Sequence, residues 1–144
     1  MKNLFAIFIF LACNSTNNAK LDHYQPCPER EIKEKLIRSS INMPAFQKYV
    51  QKEKNNYQLN VLRNANIPDS INSMNFNGSV HFVTEAEVIN QKPKRLIEFT
   101  ELSITGDTAK VLMRYDFEGI YAYGTFLSVN CNWKLLSSHV EETK

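Results

Sequence analysis

Glycine, cysteine and tryptophan are scarce in this 144-residue chain, which contains four, three and one of them respectively. So few glycines leave no glycine-rich loop that cradles phosphates, and no G-x-S-x-G sequence marks a nucleophile elbow. No C-x-x-C pair or cysteine–histidine spacing suggests zinc. We therefore predict no cofactor and no metal, and we favour a non-catalytic protein over an enzyme.

A clear excess of positive charge is also missing, because 17 basic residues stand against 15 acidic ones. A nucleic-acid-binding surface usually requires a clustered basic excess. Lys92, Lys94 and Arg95, around Pro93, come nearest to such a cluster, and a solvated loop accounts for them. We predict no nucleic-acid partner.

The longest apolar run near the N-terminus is nine residues, Leu4 to Ala12. A helix needs about 20 residues to span a bilayer, so this run is too short. With Lys2 before it, the run has the form of the apolar region of a secretory signal. We predict a signal peptide over residues 1–12.

The tetrapeptide Phe10-Leu11-Ala12-Cys13 resembles a bacterial lipobox. The resemblance implies that Cys13 is lipidated, that the protein is exported to the cell envelope, and that it contacts a membrane through this anchor. Phe10 stands where an aliphatic residue is usual, so ordinary cleavage to a secreted or periplasmic protein remains the alternative. Residues 13–27 are polar and aperiodic, which predicts a flexible tether.

Two cysteines, Cys27 and Cys131, remain once Cys13 is set aside. In an exported chain this even pair is a candidate disulfide. It would join the segment before the first helix to the hairpin between the last two strands. The alternative is two free thiols, with Cys131 serving only as a turn residue.

Residues 28–144 are predicted to form a single α+β domain. A helix begins at Pro28 and presents Ile32, Leu36, Ile37 and Ile41 on one face. A second helix is expected over Ala45 to Lys54. The range from Arg63 to Gly78 is interpreted as an irregular loop, and Val80 to Val88 as a strand.

The stretch from Leu96 to Val140 has the pattern of an antiparallel β-meander. Turn signals at Thr105–Asp107, Glu118–Gly119 and Asn130–Asn132 separate four apolar runs. Alternation predicts a core-facing row, namely Ala109, Val111, Met113, Tyr115 and Phe117. In the next run Tyr121 and Tyr123 share one face, and Leu112 interrupts the polar face beside them. Trp133 is expected to be a core anchor with its indole N–H bonded to backbone.

Two helices followed by a curved sheet resemble the cystatin-like or NTF2-like plan. The resemblance rests on Ile104–Val111, Gly124–Leu127 and Asn132–Leu135. It implies one or two N-terminal helices packed on a curved antiparallel meander of four to five strands. Enzymes similar to the NTF2-like plan use an acid–base pair in a cone-shaped pocket. Here the candidates are His81, Tyr115, Asp116, Tyr121 and His139.

Our leading hypothesis is an exported, lipid-anchored binding or structural module. A protein or peptide partner would contact the sheet face around Leu112, Tyr121 and Tyr123, or the loop from Arg63 to Gly78. The alternative is a small NTF2-like pocket enzyme or ligand carrier. A deep apolar pocket with a buried, unpaired acid or histidine would favour the alternative. The sequence makes no prediction of oligomeric state.

Overall fold

The computed structural model describes residues 27–50, 58–71, 73–76 and 78–143. These residues form three helices and seven strands. The helices are α1 (Glu29–Ile41), α2 (Pro44–Val50) and α3 (Glu85–Gln91). The strands are β1 (Gln58–Leu62), β2 (Ser73–Phe76), β3 (Gly78–Val83), β4 (Leu96–Thr105), β5 (Thr108–Tyr115), β6 (Ile120–Val129) and β7 (Asn132–Glu142). The α+β class is thereby confirmed.

Helix α1 begins directly after Pro28, as its sequence predicts. Glu29 and Glu31 lie in the first turn, where negative charge complements the helix dipole. Both carboxylates also form ion pairs one turn on, Glu29 with Lys33 at 3.0 Å and Glu31 with Lys35 at 2.7 Å. The opposite side of the helix carries the residues that enter the core.

The sheet is mixed and larger than expected. Its order is β2-β3-β1-β4-β5-β6-β7. The meander β4–β7 is antiparallel, but β1 is parallel to both β3 and β4. The described residues thus form seven strands rather than four or five. Parallel pairing joins segments that are distant in sequence, so local alternation did not indicate it.

Alternation along β6 divides its residues between two environments. Ile120, Ala122 and Phe126 are buried, whereas Tyr121 and Tyr123 are half-buried on the other side. The core-facing row of β5 is likewise buried through Tyr115. We expected Phe117 to continue that row, and this prediction is wrong. Phe117 lies in the β5–β6 turn, beyond the strand, and is 46% exposed.

Helices α1 and α2 pack on one face of the sheet and contribute large apolar side chains to the core, whereas α3 has no buried residue. Phe46 of α2 meets Tyr115 edge-on, with ring centroids 5.5 Å apart. The Trp133 indole N–H donates to the Ile32 carbonyl oxygen of α1 at 2.9 Å. The bond confirms the expected backbone partner for this side chain and ties α1 to β7.

Two β-bulges interrupt the meander. The register of β4 against β5 shifts between Phe99 and Glu101, and the register of β6 against β7 shifts between Thr125 and Phe126. The unpaired residues are Thr100 and Leu136. Bulges bend a strand and increase its local twist, so β4 and β7 should each bend at these positions.

The segment from Val80 to Val88 is not one strand, contrary to our expectation. Strand β3 ends at Val83 and α3 begins at Glu85. Thr84 Oγ1 accepts from the Glu87 N–H at 3.3 Å, and Glu87 Oε2 accepts from the Thr84 N–H at 2.7 Å. This reciprocal capping box starts the helix.

The range from Arg63 to Gly78 was also only partly predicted. A short loop extends to Ile71, which is buried, and strand β2 follows. The Arg63 guanidinium organises the loop by donating to the Ile71 carbonyl oxygen at 2.7 Å. Asn64 and Asn66 each donate to the Phe99 carbonyl oxygen, at 3.0 and 2.8 Å. These side chains hold the loop against β4.

The predicted signal peptide, most of the tether and Cys13 lie outside the described residues. Within the described ranges, no helix is both long and apolar enough to cross a bilayer.

Cys27 and Cys131 form a disulfide, with their Cα atoms 5.8 Å apart and a separation of 104 positions in sequence. Asn130 and Cys131 both have positive φ, 50° and 60°, as the two central residues of the tight β6–β7 turn. The bond fixes the residue that precedes α1 to this turn.

Replacing both Cys27 and Cys131 with serine should lower the free energy of unfolding. Closing a loop of this length stabilises by about 4–5 kcal/mol in the chain-entropy model, an upper figure for the loss. Denaturant titration with and without a reductant provides the measurement. The reductant should destabilise the parent protein and leave the double variant unchanged. Equal stability of parent and variant would contradict a structural role for this bond.

Candidate functional site

The four strands of the meander present one face away from the helices, here called the open face. Its side chains are exposed or half-buried. It is defined by Glu98, Glu101 and Ser103 of β4, Lys110, Leu112 and Arg114 of β5, Tyr121, Tyr123 and Thr125 of β6, and Ser137, His139 and Glu141 of β7. Every strand of the meander therefore contributes to one surface.

A depression of about 260 Å³ lies at the middle of the open face. Leu112, Tyr123 and His139 line it, and these three occupy directly opposed positions on β5, β6 and β7. Glu101 and Lys110 are at its β4–β5 side. Gly124, Thr125 and Ser137 continue the lining along β6 and β7.

Tyr123 and His139 form an aromatic ledge beside this depression. Their rings are stacked with centroids 4.4 Å apart and planes only 3° from parallel. The Tyr123 hydroxyl donates to Glu141 Oε2 at 3.2 Å, and His139 Nε2 lies 3.5 Å from Glu141 Oε1. Glu141 thus holds both rings by their polar ends, and the ledge is presented as one unit.

Loss of hydration, followed by the charge of Glu141 and its hydrogen bond, raises the pKa of Tyr123 above its ordinary value. A general acid or base works best when its pKa is near the operating pH. The upward shift moves the pKa of Tyr123 further above neutral pH. Tyr123 is therefore less suited to proton transfer near neutral pH than an unshifted tyrosine.

Arg114 occupies the next row of the open face. Its guanidinium lies 3.1 Å from Glu98 Oε2 and 2.8 Å from Asp116 Oδ1. Burial lowers the pKa of Arg114, but Asp116 and Glu98 outweigh burial, so the pKa is raised. This charged cluster borders Tyr121 and keeps that end of the face polar.

The structure brings together the three residues predicted for a binding face. Leu112 and Tyr123 are cross-strand partners, and Tyr121 follows on the same side of β6. The acid–base candidates assemble only in part. Tyr115 is buried in the core and His81 is on β3. Tyr121 and His139 both lie on the open face, and Asp116, which pairs with Arg114, lines a depression together with Tyr121.

Sequence reasoning missed Glu101, Lys110 and Ser137 as neighbours of the ledge. Their placement depends on strand register, and both bulges shift it. The turn residues indicate which strands pair, but no local pattern specifies where a bulge falls. Among the described residues, no group of three or more histidine, cysteine, aspartate or glutamate side chains is placed to hold a metal ion.

Comparison with known proteins gives no relative. No family model, no curated protein and no solved structure matches this chain.

Replacing Glu141 with glutamine should lower the pKa of Tyr123 toward its ordinary value of about 10. The folded protein holds the Tyr123 proton more tightly than the unfolded chain does. This tighter proton binding contributes to the free energy of unfolding. The contribution is fully present below pH about 10 and is lost as the pH rises through the raised pKa of Tyr123. NMR titration of the tyrosine ring carbons provides the measurement.

The matched control is Glu142→Gln. Glu142 accepts from the Tyr49 hydroxyl at 3.2 Å, and the pKa of Tyr49 is raised by burial and by Glu142. This variant should lower the pKa of Tyr49 and leave the pKa of Tyr123 unchanged. If Glu141→Gln leaves the pKa of Tyr123 unchanged, the contact with Glu141 does not determine the ionisation of this tyrosine.

Proposed function

We propose that this protein is an exported binding module that holds a protein partner on its open face. One observation supports this above all. Helices close one side of the meander, whereas the other side presents an aromatic ledge and a depression with no described element over them. The module itself is non-catalytic, and the partner is recognised by contact.

The distribution of residue types on the open face favours a protein partner. Tyr123 and Leu112 are at the centre, with Glu101, Lys110 and Glu141 around them. Protein interfaces typically have a core with aromatic residues and a polar rim, and tyrosine is common among the residues that dominate affinity. Charges of both signs in the rim suit a mixed protein surface better than a ligand of one charge.

The filled core argues against the alternative of a pocket enzyme or carrier. Buried polar residues among those described are Ser40 and Asn60. Ser40 donates to the Leu36 carbonyl oxygen at 2.7 Å, and Asn60 donates to the Lys94 carbonyl oxygen at 2.9 Å. Neither is an unpaired acid or histidine in a deep apolar pocket, which the alternative needs.

A cystatin-like or NTF2-like plan is part of the proposal. Two helices that precede the meander and pack on one face of it support that plan, and α3 supplies a third helix. The parallel pairing of β1 with β3 and β4 lies outside the antiparallel meander on which the resemblance was based.

Export and lipid anchoring at Cys13 complete the proposal. The disulfide between Cys27 and Cys131 supports export, because disulfides persist in oxidising compartments outside the cytosol. The apolar run before Cys13 and the polar residues after it suit a leader and a tether.

A photo-crosslinking amino acid at Leu112 or Tyr121 should capture the same partner in the cells that make this protein. A crosslinker at Glu29, on α1, is the matched control and should not capture it. Tyr123→Ala should then weaken binding of the purified partner by about thirtyfold, the effect of losing a dominant interface residue. Tyr49→Ala, on the helical side, should leave binding unchanged. Equal capture from Glu29, or full affinity of Tyr123→Ala, would overturn the assignment of this face.

Replacing Cys13 with serine should abolish incorporation of labelled fatty acid, because the lipobox cysteine is the acceptor. Membrane fractionation of the same cells should show the variant released or retained as an unprocessed precursor. Cys27→Ser is the control and should remain labelled. Labelling that persists without Cys13, or that never occurs in the parent, would contradict the anchor.

A further inference from the structure

We propose a second binding site, for a small phosphate-bearing molecule, at the end of the sheet where β1 and β4 begin. A cavity of about 450 Å³ opens there. It is lined chiefly by Gln58, Asn60, Gln91, Lys94, Arg95 and Phe117. Ligand pockets typically have volumes of about 300–1,000 Å³, so a small molecule fits. This site is independent of the open face and of its proposed partner.

The charges that line the cavity have one sign. Lys94 and Arg95 contribute two cations, and Gln58, Asn60 and Gln91 contribute neutral amides. No carboxylate is among its described lining residues. Cationic side chains donate charge-assisted hydrogen bonds, which suit an oxyanion. The segment Lys92–Arg95 was interpreted above as a solvated loop. In the folded protein two of its charged side chains, Lys94 and Arg95, line the same cavity.

The backbone that carries these cations is held by one buried side chain. Asn60, in the middle of β1, is only 7% exposed. Its Nδ2 donates to the Lys94 carbonyl oxygen at 2.9 Å, and its backbone N–H donates to the Arg95 carbonyl oxygen at 3.1 Å. Gln58 in turn donates to Asn60 Oδ1 at 3.2 Å. A buried polar residue of β1 thus fixes the loop.

Two residues of the loop have left-handed backbone conformations, which are uncommon for side chains other than glycine, asparagine and aspartate. Lys92 has a φ of 45° and Arg95 a φ of 61°. Such conformations persist where surrounding contacts impose them, and they concentrate at ligand-binding sites. At Arg95 the hydrogen bonds from Asn60 supply that constraint. Lys92 is the C-cap of α3, where a left-handed residue commonly ends a helix, and its N–H donates to the Val88 carbonyl oxygen.

Phe117 adds an exposed apolar ring to the site, so the ligand should carry an apolar group as well as a phosphate. The Arg95 guanidinium carbon lies 5.6 Å from the centroid of this exposed ring. The Asp116 N–H donates to the Leu96 carbonyl oxygen at 3.1 Å, which holds the β5–β6 turn and Phe117 beside the loop. A phosphate near Lys94 and Arg95 would place its organic group against Phe117. The favoured ligand is therefore a phosphate monoester with an apolar or aromatic group.

NMR titration of the full chain with inorganic phosphate and with phenyl phosphate tests the site. Both should shift amide signals of residues 92, 94–96 and 117, and phenyl phosphate should bind more tightly. Sodium chloride at equal ionic strength should not produce these shifts. Lys94→Gln should weaken both probes by about tenfold, the loss of one charged hydrogen bond. Phe117→Leu should weaken phenyl phosphate alone, by about threefold.

Lys110→Gln is the matched control, because Lys110 is on the open face and should leave both affinities unchanged. Arg95→Gln should behave as Lys94→Gln does. If Arg95→Gln fails to fold, Lys94→Gln still tests the site, because Lys94 is exposed. Absence of binding, shifts that chloride reproduces, or equal effects of Lys94→Gln and Lys110→Gln would each overturn the site.

Discussion

The helical layer approaches the sheet closely at Gly124 of β6. A Cβ atom on Gly124 would lie 2.5 Å from Met43 Sδ and 2.7 Å from Cε2 of Phe126, well inside van der Waals contact, so a larger residue here requires these side chains to shift. Met43 lies between α1 and α2, so this contact joins the helical layer to β6. Phe126, on the same strand, is buried beside it. Strand β6 thus presents its glycine and small residues to the helices and its tyrosines to the other side.

One consequence is that the two faces of the meander differ in structure. The closed face is a filled apolar core with Trp133 bonded to α1, whereas the open face carries the Tyr123–His139 ledge. The sites proposed here use different parts of the same scaffold. The protein-binding face lies on the middle of the meander, where the flanking strands β4 and β7 are bulged, and the phosphate site lies where β1 and β4 begin. The disulfide holds the opposite end, at the β6–β7 turn.

Prediction succeeded where a feature depends on local spacing. The start of α1 follows from Pro28 and two glutamates, and the faces of β5 and β6 follow from their two-residue period. Helix α3 was missed although its capping box, Thr84 with Glu87, is visible in the sequence. The alternation of residues 80–88 was given more weight than that signal. Strand β2 was missed because its short run lies among many turn-forming residues.

The amino-acid sequence by itself determined the α+β class, the meander and the side of β6 on which Tyr121 and Tyr123 lie, because these follow from periods and turn residues within a few positions. Only the tertiary structure decided which residues meet. The stacking of His139 on Tyr123 requires the register of β7, and the cavity at Lys94 and Arg95 requires parallel pairing of β1 with β4. Such contacts join distant segments through hydrogen bonds and bulges that no local pattern encodes.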